Sequence, residues 1–186
     1  LVGEEGKPMP FLDHLEELRW HILKALAAII VGAIFCGIFV DQILFLLTRP
    51  VRVMEFPPVL QTLKPMGMFV VKLEIALVGG GILALPILIY QLWLFIAPGL
   101  FSRERHFATF VIGSSTVCFG FGAFLAYWVV IPMAMTFFVG MTADTGVAAQ
   151  FDIGLYISFV IRLLLAFGLV FELPVLTFFL AKIGLA

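Results

Sequence analysis

Four long apolar stretches constrain the fold of this chain more than any other feature of its sequence. They cover about residues 22–40, 67–96, 107–131 and 155–181. Because an α-helix rises about 1.5 Å per residue, roughly 20 apolar residues span the hydrocarbon core of a bilayer. Of the 186 residues, 63% are hydrophobic and 12% are charged, whereas about a quarter of a soluble domain is charged. The sequence therefore predicts an all-α, polytopic bundle of four transmembrane helices, a single membrane domain over residues 1–186.

The segment ahead of the first span predicts a helix of a different kind, over residues 10–24. Its apolar residues recur at three- and four-residue spacing, at Phe11, Leu15, Leu18 and Ile22. This spacing gives one apolar stripe on a polar helix. We expect an amphipathic helix at the membrane interface, with residues 1–21 forming a cytoplasmic or interfacial N-terminus.

Two segments between the spans are predicted to be loops on one side of the membrane. Residues 41–65 contain prolines 50, 57, 58 and 65, so they cannot form one continuous helix, although a short one from Gln42 to Thr48 is possible. The second loop, 132–154, has no Lys or Arg. Loops that lack basic residues favour the outer side, so the N-terminus is predicted to be cytoplasmic.

Two charged clusters lie on the predicted cytoplasmic side, at residues 14–19 and 102–106. A solvated helix face explains the first, and anchoring by basic residues explains the arginines of the second. Neither explanation accounts for Glu104 between Arg103 and Arg105, for which a local ion pair with these arginines is one alternative. Glu17 and Glu104 together match a ligand with two guanidinium groups, because carboxylate–arginine pairing is bidentate and charge-assisted.

The fourth span contains one carboxylate, Glu172, with Pro174 two residues later. An ionisable group at that depth is costly and faces protein or water. A structural hydrogen bond and a functional site remain equally open for it. Ser114 and Ser115 in the third span are interpreted as small packing residues, because no histidine lies within a span to activate them.

Other functional classes have little basis in the sequence. The net charge of −1 gives no field that attracts nucleic acid. The sequence contains no metal-ligand spacing and no nucleotide-binding loop, so we expect no cofactor, no metal and no catalytic residue. The aromatic residues Tyr127, Trp128, Tyr156 and Trp93 are interpreted as interfacial belt residues.

Several short motifs, in order along residues 9–180, resemble the TatC family of twin-arginine protein translocation. They are His14-Leu15-Glu16-Glu17-Leu18-Arg19, the run from Leu85-Pro86 through Tyr90-Gln91-Leu92-Trp93 to Ala97-Pro98-Gly99-Leu100, Arg103-Glu104-Arg105, Phe124-Leu125-Ala126-Tyr127, and Phe171-Glu172-Leu173-Pro174. Each motif is short, and their combination in this order is specific.

The resemblance implies a receptor for twin-arginine signal peptides that is part of a translocase exporting folded proteins, driven by the proton-motive force. It implies that Glu17 and Glu104 recognise the arginine pair, and that Arg19, Phe95 and Arg105 shape the same cytoplasmic patch. It further implies an intramembrane polar site at Glu172 and a transport-linked proline at Pro50 in the first outer loop.

The resemblance also implies partners and a location. The expected partners are TatA-like and TatB-like single-span subunits, signal peptides of folded cargo, the lipid bilayer and further copies of the chain. The expected location is the plasma (inner) membrane of a bacterium or archaeon. The family has six spans, whereas this sequence ends after the fourth at Ala186, so we expect a piece of a longer protein.

Two other functions compete with the receptor hypothesis. A proton-coupled small-molecule transporter would use Glu172 as its relay, but the sequence shows no inverted repeat of broken helices. An intramembrane hydrolase would use Ser114 or Ser115, but it lacks a base.

Overall fold

The computed structural model describes residues 11–96, 105–143 and 149–183. It is almost entirely helical, as predicted. In chain order, the elements are α1 (Phe11–Ile38), α2 (Val40–Arg52), β1 (Val59–Gln61), α3 (Gly67–Ile96), α4 (Arg105–Leu125), a π-helical segment (Ala126–Val130), α5 (Ile131–Ala143), β2 (Gln150–Asp152) and α6 (Ile153–Ile183).

Within the described residues, four helical stretches are long and apolar enough to cross a membrane: Leu18–Ile38, Gly67–Leu92, Ile112–Thr142 and Ile153–Phe178. Their number agrees with the prediction. The expected interfacial helix is not a separate element, because α1 runs without interruption from Phe11 through the first span. The polar N-terminal residues therefore belong to the same helix as the first span.

The prediction of a loop from residue 132 was wrong for its first part, because helix continues through α5 to Ala143. Pro132 was expected to end the third span. The π-helical segment precedes it, and the Ile131 N–H donates to the Ala126 carbonyl five residues back. A proline ring normally clashes with the carbonyl four residues earlier. The wider π turn shifts the backbone hydrogen-bond register just before the ring, so the helix continues.

The segment between the first two spans is also more ordered than predicted. Its helix, α2, is longer than Gln42–Thr48 and contains Pro50. Strand β1 follows it and pairs in parallel with β2, with Val59 opposite Gln150 and Gln61 opposite Asp152. A three-residue strand carries no periodic signal, so this ladder was not predicted. It ties the two predicted loops together at one end of the bundle, here called the α2 end.

The tightest core lies toward the α2 end, where α2, α3, α5 and α6 meet. Val51, Val71, Ile131, Ile157 and Val160 are each at most 1% exposed there. Elsewhere many large apolar side chains on the span helices are exposed, as expected of helix faces that meet lipid. The fold therefore anchors the segments at the α2 end on a compact core, while the rest of each span remains available to the bilayer.

Helices α1 and α3 pack closely and run antiparallel. A Cβ atom on Gly32 would lie 2.6 Å from the Gly80 carbonyl oxygen, and one on Gly79 would lie 2.9 Å from the Cys36 Sγ atom. Only residues without side chains permit this approach. Helix α3 is one continuous element through these glycines, and Gly79 and Gly80 form its contact with α1.

Candidate functional site

Two residues of the predicted twin-arginine site, Glu17 on α1 and Phe95 on α3, belong to the end of the bundle opposite the α2 end. There, His21 Nδ1 of α1 and Gln91 Oε1 of α3 are 2.6 Å apart, in a hydrogen bond between the helices. Residue 17 lies one helical turn before His21, and residue 95 lies one turn after Gln91. The antiparallel packing therefore brings these two backbone positions to the same end of the α1–α3 pair, here called the receptor end.

The side chains of the predicted site residues are described for some positions and not for others. Arg19 is on α1 and exposed, and Arg105 is the first residue of α4. The side chains of Glu17, Phe95 and Arg105 lie outside those described, and Glu104 lies outside the described residues altogether. The pairing of Glu17 with Glu104 stays a prediction. The sequence reasoning missed the His21–Gln91 contact, because it joins residues that are far apart in the chain.

Glu172 faces α4 from the middle of α6. Its carboxyl group interacts with the hydroxyl of Ser115, whose residue is 5% exposed. One carboxyl oxygen, Oε1, is buried and has no hydrogen-bond partner among the described residues. Ser115 was interpreted as a packing residue only, so its contact with Glu172 is a correction. A half-satisfied carboxyl group in an apolar surrounding is costly, which makes Glu172 a candidate for binding a further polar group.

Close packing of α4 against α6 holds this pair together. A Cβ atom on Gly168 would collide with the ring of Phe119, and one on Gly122 would collide with the Phe167 carbonyl. The small residues therefore set the distance between the two helices. Because α4 and α6 run antiparallel, the same register carries Ser115 toward Glu172.

A second carboxylate is engaged between helices, and no sequence pattern singled it out. The Ser158 hydroxyl of α6 donates to Glu74 Oε2 of α3 at 2.9 Å. The bond to α6 gives Glu74 a structural role, and α3 and α6 are thereby joined by a polar contact.

Pro50 lies inside α2, and its missing N–H has a structural consequence. A residue at position 50 would normally donate to the carbonyl of Leu46 four residues earlier. The Tyr127 hydroxyl donates to that carbonyl instead, at 2.7 Å. Tyr156, 4% exposed, donates to the adjacent Leu47 carbonyl at 2.8 Å. These tyrosines are thus not simply interfacial belt residues, because both attach α2 to the span helices.

Asp152 caps α6 and ties it to the chain after β1. Its Oδ1 atom accepts from the N–H groups of Gly154 at 2.9 Å and Leu155 at 3.1 Å. Its Oδ2 atom accepts from the Leu63 N–H at 3.1 Å. These backbone hydrogen bonds, the one from Leu63 foremost, hold the pKa of the exposed Asp152 carboxyl below its usual range, with a smaller contribution from the charge of Lys64.

No group of three or more His, Cys, Asp or Glu residues that could hold a metal ion occurs in the described part of the chain. Three polar contacts found there are pairs: His21 with Gln91, Ser115 with Glu172, and Ser158 with Glu74. Each pair joins two spans, so these side chains can hold helices in position and can bind a polar partner.

Comparison with known proteins gives a consistent result. The family model described as Sec-independent protein translocase protein (TatC) matches residues 13–186. The chain belongs to the TatC family. The Sec-independent protein translocase protein TatC of Carboxydothermus hydrogenoformans is 38% identical to this TatC-family chain over 181 residues, which are 97% of the chain and 73% of that protein. The corresponding protein of Aquifex aeolicus is 35% identical over 179 residues, covering 95% and 74% of the two chains.

Solved structures also resemble this TatC-family chain. A crystal structure of a twin-arginine translocase receptor, TatC, superposes with a TM-score of 0.85 at 32% identity, covering 93% of this chain and 76% of that one. The same receptor type crystallised in the detergent DDM gives the same TM-score over 77% of its chain. The TatC resemblance that the sequence motifs suggested is confirmed, and so is the helical membrane fold.

Proposed function

We propose that this TatC-family protein translocase component binds the twin-arginine motif of signal peptides at the receptor end of its bundle. Glu17 and Glu104 would pair with the two guanidinium groups. Arg19, Phe95 and Arg105 would form the surrounding surface. The observation that carries the proposal is the hydrogen bond between His21 and Gln91. It supports a receptor end in which the start of α1 and the end of α3 are fixed side by side.

The chemistry of the ligand suits such a surface. Two carboxylates accept bidentate, charge-assisted hydrogen bonds from two arginines, whereas lysine offers only a point charge. A fixed spacing between the carboxylates would select a ligand whose guanidinium groups lie on adjacent residues. The apolar part of the signal peptide would then lie along the span helices toward Glu172, whose unpartnered oxygen Oε1 offers a polar contact.

A binding measurement tests the proposal. A fluorescent peptide with Arg-Arg or Lys-Lys at its motif is titrated into the purified chain in detergent. Glu17→Gln and Glu104→Gln should each weaken Arg-Arg binding by about 1–3 kcal/mol, the cost of losing a hydrogen-bonded partner of a charged group. Glu16→Gln is the matched control, because Glu16 is an exposed carboxylate on the same helix and should leave the affinity unchanged.

The contrary result is equally clear. Equal binding of both peptides, unaffected by either carboxylate variant or by the two combined, would leave the acidic clusters as solvated helix faces. A loss in Glu16→Gln as large as in Glu17→Gln would indicate a diffuse charge effect without a specific site. Either result would contradict the proposed recognition.

The proposal includes partners and a location. TatA-like and TatB-like single-span subunits would assemble with several copies of the chain, and the proton-motive force would drive export of folded cargo across a bacterial or archaeal plasma membrane. The N-terminus would be cytoplasmic. With Cys36 and Cys118 replaced, Glu16→Cys should react with a membrane-impermeant maleimide only after the cells are permeabilised. Reaction in intact spheroplasts would reverse the proposed orientation.

The small-molecule transporter hypothesis has no support beyond Glu172 itself. The relatives reported above are named as protein translocase components, and Glu172 interacts with the Ser115 side chain. We therefore retain a single functional proposal.

A further inference from the structure

A pocket of about 310 Å³ opens between α2 and the third span at the α2 end. One wall consists of Arg49, Pro50, Val53 and Met54, and the other includes the aromatic side chains of Tyr127 and Trp128. Val53 is 74% exposed and Trp128 is 56% exposed, so the pocket is accessible from the surroundings of the bundle. Around a membrane-spanning bundle, these surroundings include lipid.

Arg49 gives the pocket its polarity. It is the one charged residue among the described residues that line the pocket, and no ion pair joins it to another described residue. Arg52, one turn further along α2, differs, because its guanidinium group stacks over the Phe45 ring at 5.4 Å. Arg49, by contrast, lines the same pocket as Tyr127. The pocket therefore presents a cation that has no ion-pair partner among the described residues, beside an apolar surface.

The position of the pocket suits a lipid headgroup. Tyr and Trp residues are enriched where a span meets the membrane interface, at the depth of the headgroups. Lipid tails are as apolar as the pocket walls, so burial of a tail alone gives little preference for this pocket. A guanidinium group that donates bidentate hydrogen bonds to phosphate does give a preference.

From this charge complementarity we propose that the pocket binds an anionic phospholipid. Its phosphate lies on Arg49, and the upper part of an acyl chain lies against Val53, Met54 and Trp128. A zwitterionic lipid carries its own cation beside the phosphate, whereas an anionic one leaves its charge for Arg49. The site is separate from the receptor end, so its presence does not depend on twin-arginine recognition.

Quenching of Trp128 fluorescence tests the proposal directly. The chain has three tryptophans, and Trp20→Phe with Trp93→Phe leaves Trp128 as the reporter. This variant is placed in phosphatidylcholine nanodiscs. Either brominated phosphatidylglycerol or brominated phosphatidylcholine, each carrying bromine on its acyl chains, is then added to separate samples. We expect stronger quenching by the brominated phosphatidylglycerol at equal mole fraction. Arg49→Gln should weaken this preference about fivefold, the change that one arginine near a lipid surface supplies.

Two further variants separate a pocket from a general charge effect. Arg52→Gln removes a cation from the same helix and should leave the preference unchanged. Val53→Phe fills the pocket while keeping Arg49, and it should abolish the preference. Melting temperatures of all variants identify any that fail to fold, and the comparison then rests on the folded ones.

Three outcomes would overturn the proposal. Equal quenching by the two lipids, insensitive to Arg49→Gln, would mean that only ordinary annular lipid contacts Trp128. Equal losses in Arg49→Gln and Arg52→Gln would mean a diffuse surface charge. Displacement of the lipid by soluble glycerol phosphate at millimolar concentration would assign the site to a free anion.

Discussion

The Tyr127 hydroxyl donates to the Leu46 carbonyl at 2.7 Å, across a separation of 81 residues in the chain. This carbonyl is the one that Pro50 deprives of its helical donor. The proline therefore does more than shape the segment between two spans. It creates an acceptor in α2, and the third span supplies the donor, so that α2 is attached to the bundle at the site of its own irregularity.

Tyr127→Phe should destabilise the chain by about 0.5–1.5 kcal/mol, because the Leu46 carbonyl loses its donor. Thermal unfolding in detergent measures the change. Tyr90→Phe is the control, because Tyr90 is 47% exposed on α3 and should have little effect.

Restoring a backbone donor should remove this dependence. In a Pro50→Ala background, the new backbone N–H at position 50 can bond the Leu46 carbonyl, so Tyr127→Phe should cost less than it does in the wild type. A double-mutant cycle measures the coupling between the two sites. Strictly additive effects would show that Tyr127 acts independently of the proline.

Gly80→Ala should separate α1 from α3 and destabilise the chain by about 1–3 kcal/mol, the usual cost of overpacking. A Cβ atom at position 80 would collide with the backbone of Ala33. Because the same helix pair forms the receptor end, we also expect weaker binding of the Arg-Arg peptide, measured by fluorescence titration.

Gly81→Ala is the matched control for this experiment. A Cβ atom at position 81 would meet nothing within 4 Å, and alanine favours a helix over glycine by about 1 kcal/mol. The variant should be as stable as the wild type or more stable, with unchanged peptide affinity. Equal losses in both glycine variants would contradict the close α1–α3 contact.

The pH dependence of stability should report on Asp152. Its folded-state pKa lies below the ordinary value because backbone N–H groups, that of Leu63 foremost, stabilise the carboxylate. The contribution is therefore present above the unfolded-state pKa of about 3.9 and is lost as the pH falls through the folded-state pKa. Asp152→Asn should be less stable than the wild type at pH 7, and the difference should narrow below about pH 4. A difference that stays constant with pH would exclude the carboxylate charge as its cause.

The sequence predicted those parts of this fold that depend on long periodic or apolar stretches. Four spans follow from length and hydrophobicity, since no other arrangement of this size buries such stretches. The strands were missed because three residues have no detectable period. The continuation of the third span beyond Pro132 was missed because the π turn that accommodates the proline arises from packing, and local residue preference does not encode it.

For the candidate sites, the sequence predicted individual residues but not their contacts. Glu172 was recognised because a carboxylate within an apolar span is rare. Its contact with Ser115, the bond from Ser158 to Glu74 and the contact of His21 with Gln91 depend on the register between helices. Glycines such as Gly80 and Gly168 set that register through close approach, and a single sequence does not specify which helices approach.

Glu172→Leu should stabilise the isolated chain while impairing protein export. The Oε1 atom of Glu172 is buried without a hydrogen-bond partner among the described residues, and an unsatisfied buried group costs about 1–3 kcal/mol. Leucine removes that cost, so the melting temperature in detergent should rise.

Ser115→Ala should lower the melting temperature of the wild type, because the Glu172 carboxyl group then loses its contact with the Ser115 hydroxyl. The same substitution should have almost no effect in the Glu172→Leu background. Export of a reporter protein with a twin-arginine signal should fall in Glu172→Leu despite the higher stability, since a site held at a cost in stability is the kind that function retains. If Glu172→Leu instead lowers the melting temperature, Glu172 is a structural residue whose hydrogen bond to α4 outweighs its burial.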